Sequence, residues 1–201
     1  MTISGIRLTA AAILFASLPA SSASLLVEAE SFADKGGWSV DQQFMDQMGS
    51  PYLIAHGLGR PVSDASTEIT FPQTGRYYAY VRTYNWTSPW HDGAGPGRFS
   101  LAVDGKTVGK NLGTAGDCWQ WQYAGEVDIR RPRARISLKD ATGFDGRCDA
   151  VYFTTDRGDV PPSDPDSLRA FRNLPEPEAV TGYDLVVAGG GIAGMSAAVS
   201  A

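Results

Sequence analysis

Three glycines near the end of the chain have the type and spacing of a phosphate-binding turn. Gly189, Gly191 and Gly194 lie in "DLVVAGGGIAGMSAA" with the spacing G-x-G-x-x-G. They follow a short apolar run and open a run of small residues, which predicts a strand, a turn and a helix. In that setting the glycines allow a tight turn, a close approach of the backbone to a pyrophosphate, and close packing of the helix on the strand. The spacing therefore predicts a dinucleotide site, and the alternative is a glycine-rich turn that binds no ligand.

Five aromatic side chains are candidates for stacking on sugar rings. Sugar binding needs flat aromatic faces beside hydrogen-bond donors and acceptors. Tyr84, Trp86 and Trp90 lie in "YNWTSPWHDG", whose polar residues favour an exposed loop. Trp119 and Trp121 are two positions apart on a predicted strand, so they share a face. The loop residues either bind a ligand or pack on the domain or its neighbour, and the strand residues either bind or belong to the core.

A scaffold must position these side chains, and the sequence of residues 25–156 predicts a scaffold of β-strands. Short runs such as "RYYAYVRTY" and "RFSLAVDGKTVG" are rich in β-favouring residues and are separated by glycine or proline. Asp104 and Gly105 predict the tip of a hairpin, and no stretch has sustained helical periodicity. The predicted fold class is mainly β, a jelly-roll-like β-sandwich.

The character of the sequence changes after residue 156. Residues 157–182 are rich in proline, which predicts a linker with one short helix near residues 167–173 that starts close to Asp164 or Asp166. Residues 183–201 predict the first strand and helix of a Rossmann-type domain. We expect that domain to be truncated in this chain.

The first 23 residues have the pattern of a secretory signal peptide. Arg7 precedes an apolar run over residues 8–18, and small residues lead to a cleavage site after Ala23. The run is too short to span a bilayer, and a retained anchor is the alternative. We therefore expect a secreted or periplasmic protein with no membrane contact after cleavage. The formal net charge of -5 argues against a nucleic-acid partner, which requires a basic face.

Export makes Cys118 and Cys148 candidates for a disulfide bond. They are the only two cysteines, and the compartment predicted for the chain is oxidising. Loop closure between residues so far apart would contribute about 3–4 kcal/mol of stability. The alternative is two separate thiols, because the sequence does not fix the distance between the two Cα atoms.

The glycine motif resembles the start of the FAD-binding domain of flavin-dependent oxidoreductases. The resemblance implies that the pyrophosphate of FAD would lie on Gly189, Gly191 and Gly194. In that family an acidic residue at the end of the second strand holds the ribose, and this position would fall beyond Ala201. Every contact to the flavin ring would fall there too. We therefore expect this chain to hold no flavin by itself and to carry no catalytic residue.

Residues 25–156 resemble jelly-roll carbohydrate-binding modules. The resemblance rests on "LLVEAESF", "GRYYAYVRTYN", "CWQWQYAGEVDI" and "CDAVYFTTD", which occur in the order seen in those modules. It implies a polysaccharide or a small-molecule substrate as partner. A secreted bacterial family of flavin oxidoreductases, some of them labelled xanthan lyase, carries a domain of this kind at its N-terminus. The two halves of the chain together resemble that family.

The same resemblance implies a structural calcium ion. In these modules two glutamates of the first strand help to hold calcium together with an aspartate of the last strand. Glu28, Glu30 and Asp149 stand at the matching positions, and carboxylates with backbone carbonyls suit calcium. The alternative is a pair of solvated acids at a strand edge.

Three functions follow from these expectations. The first is the N-terminal fragment of an exported FAD-dependent oxidoreductase. The second is a secreted carbohydrate-binding module without enzymatic activity. The third is a structural sandwich that packs on the flavin domain, and it predicts an exposed apolar patch.

Overall fold

The computed structural model describes residues 22–175 and 178–201, so the predicted signal peptide lies almost entirely outside the described residues. The described residues form ten strands: β1 (Ser24–Glu28), β2 (Ser39–Asp41), β3 (Tyr52–His56), β4 (Ala65–Thr70), β5 (Gly75–Thr83), β6 (Phe99–Val103), β7 (Lys106–Leu112), β8 (Gln120–Ile129), β9 (Arg133–Asp140) and β10 (Phe144–Thr154). The helical elements are a 3₁₀ turn (Ala29–Ser31), α1 (Met45–Met48), α2 (Pro165–Phe171) and α3 (Ile192–Ser200). None of the described helices has the length and apolar character needed to cross a membrane.

The strands build two antiparallel sheets. Sheet A has six strands in the order β2-β3-β10-β5-β8, and β1 pairs with β10 as well. Sheet B has four strands in the order β4-β9-β6-β7. The prediction of a mainly β sandwich is therefore confirmed. Asp104 and Gly105 both have positive φ at the tip of the β6–β7 hairpin, as a tight two-residue turn requires.

The main core lies between the two sheets, because alternate residues of each strand face the opposite sheet. Sheet A contributes side chains such as Leu53, Val81 and Phe153, and sheet B contributes Leu101 and Ile136. All five are fully buried. Burial of side chains of this size contributes about 1.5–3 kcal/mol each, so this core holds the sheets together.

Strand β10 is the most connected strand of sheet A. On one edge β3 pairs with its first half and β1 with its second half, and on the other edge it pairs with β5. The register shifts between Cys148 and Ala150, which leaves Asp149 as an extra residue in a β-bulge. A bulge redirects the side chain of the extra residue. The Asp149 carboxylate faces Arg82 on the outer face of sheet A, the face turned away from sheet B.

Residues 157–174, which we call the strap, cover part of this outer face. The indole N–H of Trp121 donates a hydrogen bond to the carbonyl oxygen of Pro162 over 3.0 Å. The ring of Phe171 packs edge-on against Tyr152 with 5.5 Å between the ring centroids. The segment that the sequence predicts to be a linker therefore lies against the sandwich over much of its length.

The short helix predicted in this segment is α2. Asp164 is its N-cap, and its side chain accepts a hydrogen bond from the backbone N–H of Ser167 over 2.9 Å. Pro165 occupies the first turn, where its missing N–H leaves no bond unmade. Leu168 on the inner side of the helix is fully buried. The helix is therefore fixed by its cap at one end and by apolar packing along one side.

Residues 178–201 are almost entirely exposed. Helix α3 follows the glycines as predicted, but residues 183–188 form no strand. A strand obtains its hydrogen bonds from a neighbour, and the described part of the chain supplies none beside this segment. The glycine turn itself is tight, because a Cβ atom on Gly194 would overlap the carbonyl oxygen of Gly189.

The two cysteines are free thiols, so the disulfide expected from the sequence is absent from the described residues. Cys148 is part of the core between the sheets. Cys118 is exposed and lies next to Trp119 on the outer side of sheet A. The backbone of sheet A therefore separates the two sulfur atoms.

The arrangement of the cysteines predicts the reactivity of their thiols. A thiol reagent added to the native protein should modify about one thiol per chain, because Cys118 is exposed and Cys148 is buried. The second thiol should react only in denaturant, and Cys118→Ser should remove the native reaction. Detection of no free thiol in denaturant would show that the cysteines are bridged.

Candidate functional site

Three of the five candidate aromatic residues lie on the outer face of sheet A. Trp119 is buried there and packs against Tyr52, with 5.0 Å between the ring centroids, and against Tyr84. Met48 of α1 belongs to the same cluster. Trp121 is half-buried beneath the strap. Trp119 and Trp121 thus share a face as predicted, but α1 and the strap cover it, and neither residue belongs to the core between the sheets.

The other two candidates lie in the loop between β5 and β6. The indole N–H of Trp86 donates to the carbonyl oxygen of Phe144 over 3.0 Å. The guanidinium of Arg147 stacks over the same ring, 5.4 Å from its centroid. Trp86 therefore fastens the loop to the end of the sandwich. Trp90 is 79% exposed and keeps a free aromatic face.

A compact turn presents Trp90. Asn85 is buried at the base of the loop, and its side-chain oxygen accepts a hydrogen bond from the Thr87 hydroxyl over 2.9 Å. The carbonyl oxygen of Thr87 accepts hydrogen bonds from the backbone N–H groups of Trp90 and His91. Gly95 closes the loop where a Cβ atom would overlap the Asn85 side chain. The sequence of this loop therefore fixes where the exposed tryptophan lies.

An open cleft lies between this loop, the end of β7 and the β9–β10 turn. Its volume is about 450 Å³, and its walls are Ala94, Gly95, Pro96, Arg98, Asn111, Thr114 and Thr142. An adjoining recess shares Ala94 and Pro96 and reaches Thr87 and His91, next to Trp90. The polar groups of the walls are a guanidinium, an amide, hydroxyls and an imidazole, which together donate and accept hydrogen bonds.

Sequence reasoning found Trp90 but missed the polar residues of this cleft. Arg98, Asn111 and Thr142 belong to three segments that are distant in sequence. No spacing rule connects them, because they meet only when β6, β7 and β9 lie side by side in sheet B.

A second candidate site is a cluster of charged side chains, which we call the Asp149 cluster. It consists of Glu28, Glu30, Arg82, Asp149 and Arg172. Asp149 is fully buried, and its Oδ2 accepts hydrogen bonds from Arg82 Nη1 over 2.9 Å and from Arg172 Nη2 over 2.6 Å. Arg172 Nε forms an ion pair with Glu28 Oε1 at 3.1 Å. The structure therefore brings Glu28 and Asp149 together with two arginines that the sequence did not point to. Glu30 is near enough for the charges of Asp149 and Arg172 to affect its pKa.

The charges of this cluster are unbalanced. Burial raises the pKa of Glu28 from 4.5 to about 7, and the nearby Arg172 only partly opposes this effect. Burial also raises the pKa of Glu30 from 4.5 to about 7. One buried oxygen of each glutamate has no hydrogen-bond partner. Three carboxylates face two guanidinium groups, so full ionisation would leave one excess negative charge in a partly desolvated site.

These residues do not fit the calcium ion that the resemblance implies. Calcium requires about 6–8 oxygen ligands at roughly 2.3–2.6 Å around one point. The oxygens of Asp149 and Glu28 instead surround guanidinium groups. Within residues 22–175 and 178–201, no three acidic, histidine or cysteine side chains are placed to hold a metal ion. The expected calcium site at Glu28, Glu30 and Asp149 is therefore replaced by an ion-pair cluster.

Comparison with solved structures identifies the fold of the sandwich. The GH26-CBM35 β-(1,4)-mannanase of Podospora anserina matches with a TM-score of 0.51 and 17% identity over 65% of this chain and 27% of that one. The CBM35 of Paenibacillus barcinonensis matches with a TM-score of 0.50 and 17% identity over 66% of this chain and 99% of that one. The match thus spans about a quarter of the mannanase and nearly all of the isolated module, and at such identities it establishes the fold alone. No protein-family model and no curated protein matches the sequence.

The raised pKa values of Glu28 and Glu30 predict how stability depends on pH. Between about pH 4.5 and 7 the folded protein keeps protons that the unfolded chain has released. The free energy of unfolding should therefore be highest near the lower end of this range and should fall as the pH rises toward 7. Denaturant unfolding at several pH values would measure this fall.

Glutamine at these positions removes the ionisation, so Glu28→Gln and Glu30→Gln should each flatten the fall in stability. Glu68→Gln, at an exposed position of β4, is the matched control and should leave the slope as in the wild type. A wild-type stability that rises between pH 4.5 and 7 would contradict this account of the cluster.

Proposed function

We propose that the sandwich is a carbohydrate-binding module whose ligand occupies the cleft beside Trp90. The observation that carries this proposal is one exposed tryptophan, 79% accessible, whose chain neighbour His91 lines a recess that adjoins an open cleft with polar walls. A sugar ring has C–H groups that stack on an aromatic face and hydroxyl groups that form hydrogen bonds. Trp90 would supply the stacking surface, and Arg98 and Asn111 would bind hydroxyl or carboxylate groups.

The fold supports the same proposal. Of the solved structures that match the sandwich, one is named as a CBM35 and another as a mannanase that includes a CBM35. The other aromatic surface of this chain, on the outer face of sheet A, is covered by α1 and the strap. The loop end beside Trp90 is open, and a polysaccharide chain can extend across it because the cleft is not enclosed.

We also propose that residues 183–201 begin an FAD-binding domain of an exported oxidoreductase, with the sandwich as its accessory domain. The close approach of Gly194 to the carbonyl oxygen of Gly189 supports this, since a side chain at the third glycine would overlap the turn. Gly191 precedes α3, so the first amides of that helix are available to a phosphate. FAD, when bound to such a domain, would supply hydride transfer.

The flavin proposal has a direct test on this chain. One strand-length segment and one helix cannot enclose a ligand, so the purified 201-residue chain should be colourless and should show no flavin absorbance after incubation with FAD. A chain that includes the residues encoded downstream should be yellow. A yellow 201-residue protein with one flavin per chain would show that this chain alone encloses the flavin, and it would contradict the proposal.

Replacement of Trp90 tests the carbohydrate proposal. Trp90→Ala should weaken binding to a retained polysaccharide by about tenfold or more, because the stacking surface beside the cleft is lost. Affinity gel electrophoresis and quenching of tryptophan fluorescence across neutral and acidic soluble polysaccharides would measure this. Arg98→Ala should also weaken binding if the cleft holds the sugar.

Tyr183→Ala is the matched control, since this aromatic side chain is exposed but belongs to the segment beyond the strap. It should bind like the wild type, and all variants should keep the wild-type melting temperature. A ligand whose binding survives Trp90→Ala would place the site elsewhere. Absence of binding to every glycan would overturn the proposal and favour a structural sandwich that packs on a neighbouring domain.

A further inference from the structure

Arg172 connects the strap to three separate parts of the sandwich. Its Nη2 donates to Asp149 on β10 over 2.6 Å, and its Nη1 donates to the Met48 carbonyl oxygen over 2.8 Å and to the Ser50 hydroxyl over 2.7 Å. Its Nε pairs with Glu28 at the end of β1. The side chain is only 1% exposed. The Arg172 guanidinium therefore connects residues near the start of the sandwich sequence with a residue of its last strand.

The positive charge at this position is required. Asp149 is buried in a β-bulge at the centre of sheet A, and an isolated carboxylate in such a place would be strongly destabilising. Arg82 supplies one guanidinium from the neighbouring strand β5. The second positive charge reaches the site only if residues 157–174 fold back over the sheet.

A guanidinium suits this geometry better than a metal ion would. Its planar fork presents five donors in fixed directions, and four oxygen-bearing groups face it from different sides. A divalent cation at the same point would lie against two guanidinium groups, since Arg82 and Arg172 share one oxygen of Asp149. Their mutual repulsion would oppose binding of that ion.

We infer that Arg172 is the resident cation of the Asp149 cluster and that the strap is a permanent part of the sandwich, which needs no metal ion. The strap then has a second effect, because it closes the outer face of sheet A over Trp121 and Tyr152. The linker that the sequence predicts over residues 157–182 is therefore limited to the positions after residue 174. This inference concerns the scaffold and does not depend on carbohydrate or flavin binding.

The experiment combines metal removal with substitution of Arg172 in the full chain. The wild-type melting temperature should be the same in EDTA and in millimolar calcium chloride. Arg172→Gln should lower it by roughly 10 °C, since it leaves a buried carboxylate without its partner. Arg172→Lys, which keeps the charge but loses the fork, should lower it less. Trypsin should cleave after Arg157 at least tenfold faster in Arg172→Gln than in the wild type, because the strap detaches.

Arg169→Gln is the matched control. Arg169 is on the same helix, but its side chain contacts the carbonyl oxygen of Pro175 outside the cluster. It should melt and be cleaved after Arg157 like the wild type. A wild-type melting temperature that rises by several degrees with calcium or falls with EDTA would overturn the inference. So would an Arg172→Gln protein that matches Arg169→Gln in both measurements.

Discussion

The burial of one carboxylate, that of Asp149, governs the arrangement of sheet A and the strap. Asp149 lies in a bulge of β10, the strand to which β1, β3 and β5 are bonded. A buried charge must be paired, and removal of one partner from such a pair typically costs about 3–5 kcal/mol. Arg82 comes from the adjacent strand and Arg172 from α2. Pairing of this one group therefore couples the central strand of the sheet to a segment that follows the sandwich in sequence.

This coupling decides which surface of the protein is open to a ligand. A sandwich has two outer faces and two loop ends, and here α1 and the strap cover part of the outer face of sheet A. The aromatic side chains on that face, including Trp119 and Tyr52, form a second small core. Among the residues that the structure describes, none covers the loop end next to Trp90 in this way. Loops held by a rigid scaffold are common sites of recognition, and this loop is held by buried Asn85 and by Trp86.

The glycine turn illustrates how a local motif depends on its surroundings. The close contact of Gly194 with Gly189 and the helix after it form from local sequence alone. The apolar run before them does not become a strand, because a strand needs a bonded neighbour for its backbone groups and the described residues place none beside it. Without such a neighbour, apolar side chains of this run such as Leu185 and Val186 are exposed.

The sequence by itself determined most of the strands, the hairpin at Asp104 and Gly105, the short helix that starts near Asp164 or Asp166, and the exposed loop of Trp90, since each depends on residues close together in the chain. It also indicated that Glu28, Glu30 and Asp149 belong together, but only through resemblance. The tertiary structure alone decided that Arg82 and Arg172 complete this group, that Cys118 and Cys148 lie on opposite sides of a sheet, and that Trp119 faces α1. The physical reason is that compensation of a buried charge and the choice of sheet face depend on contacts between distant segments, which periodicity and spacing do not encode.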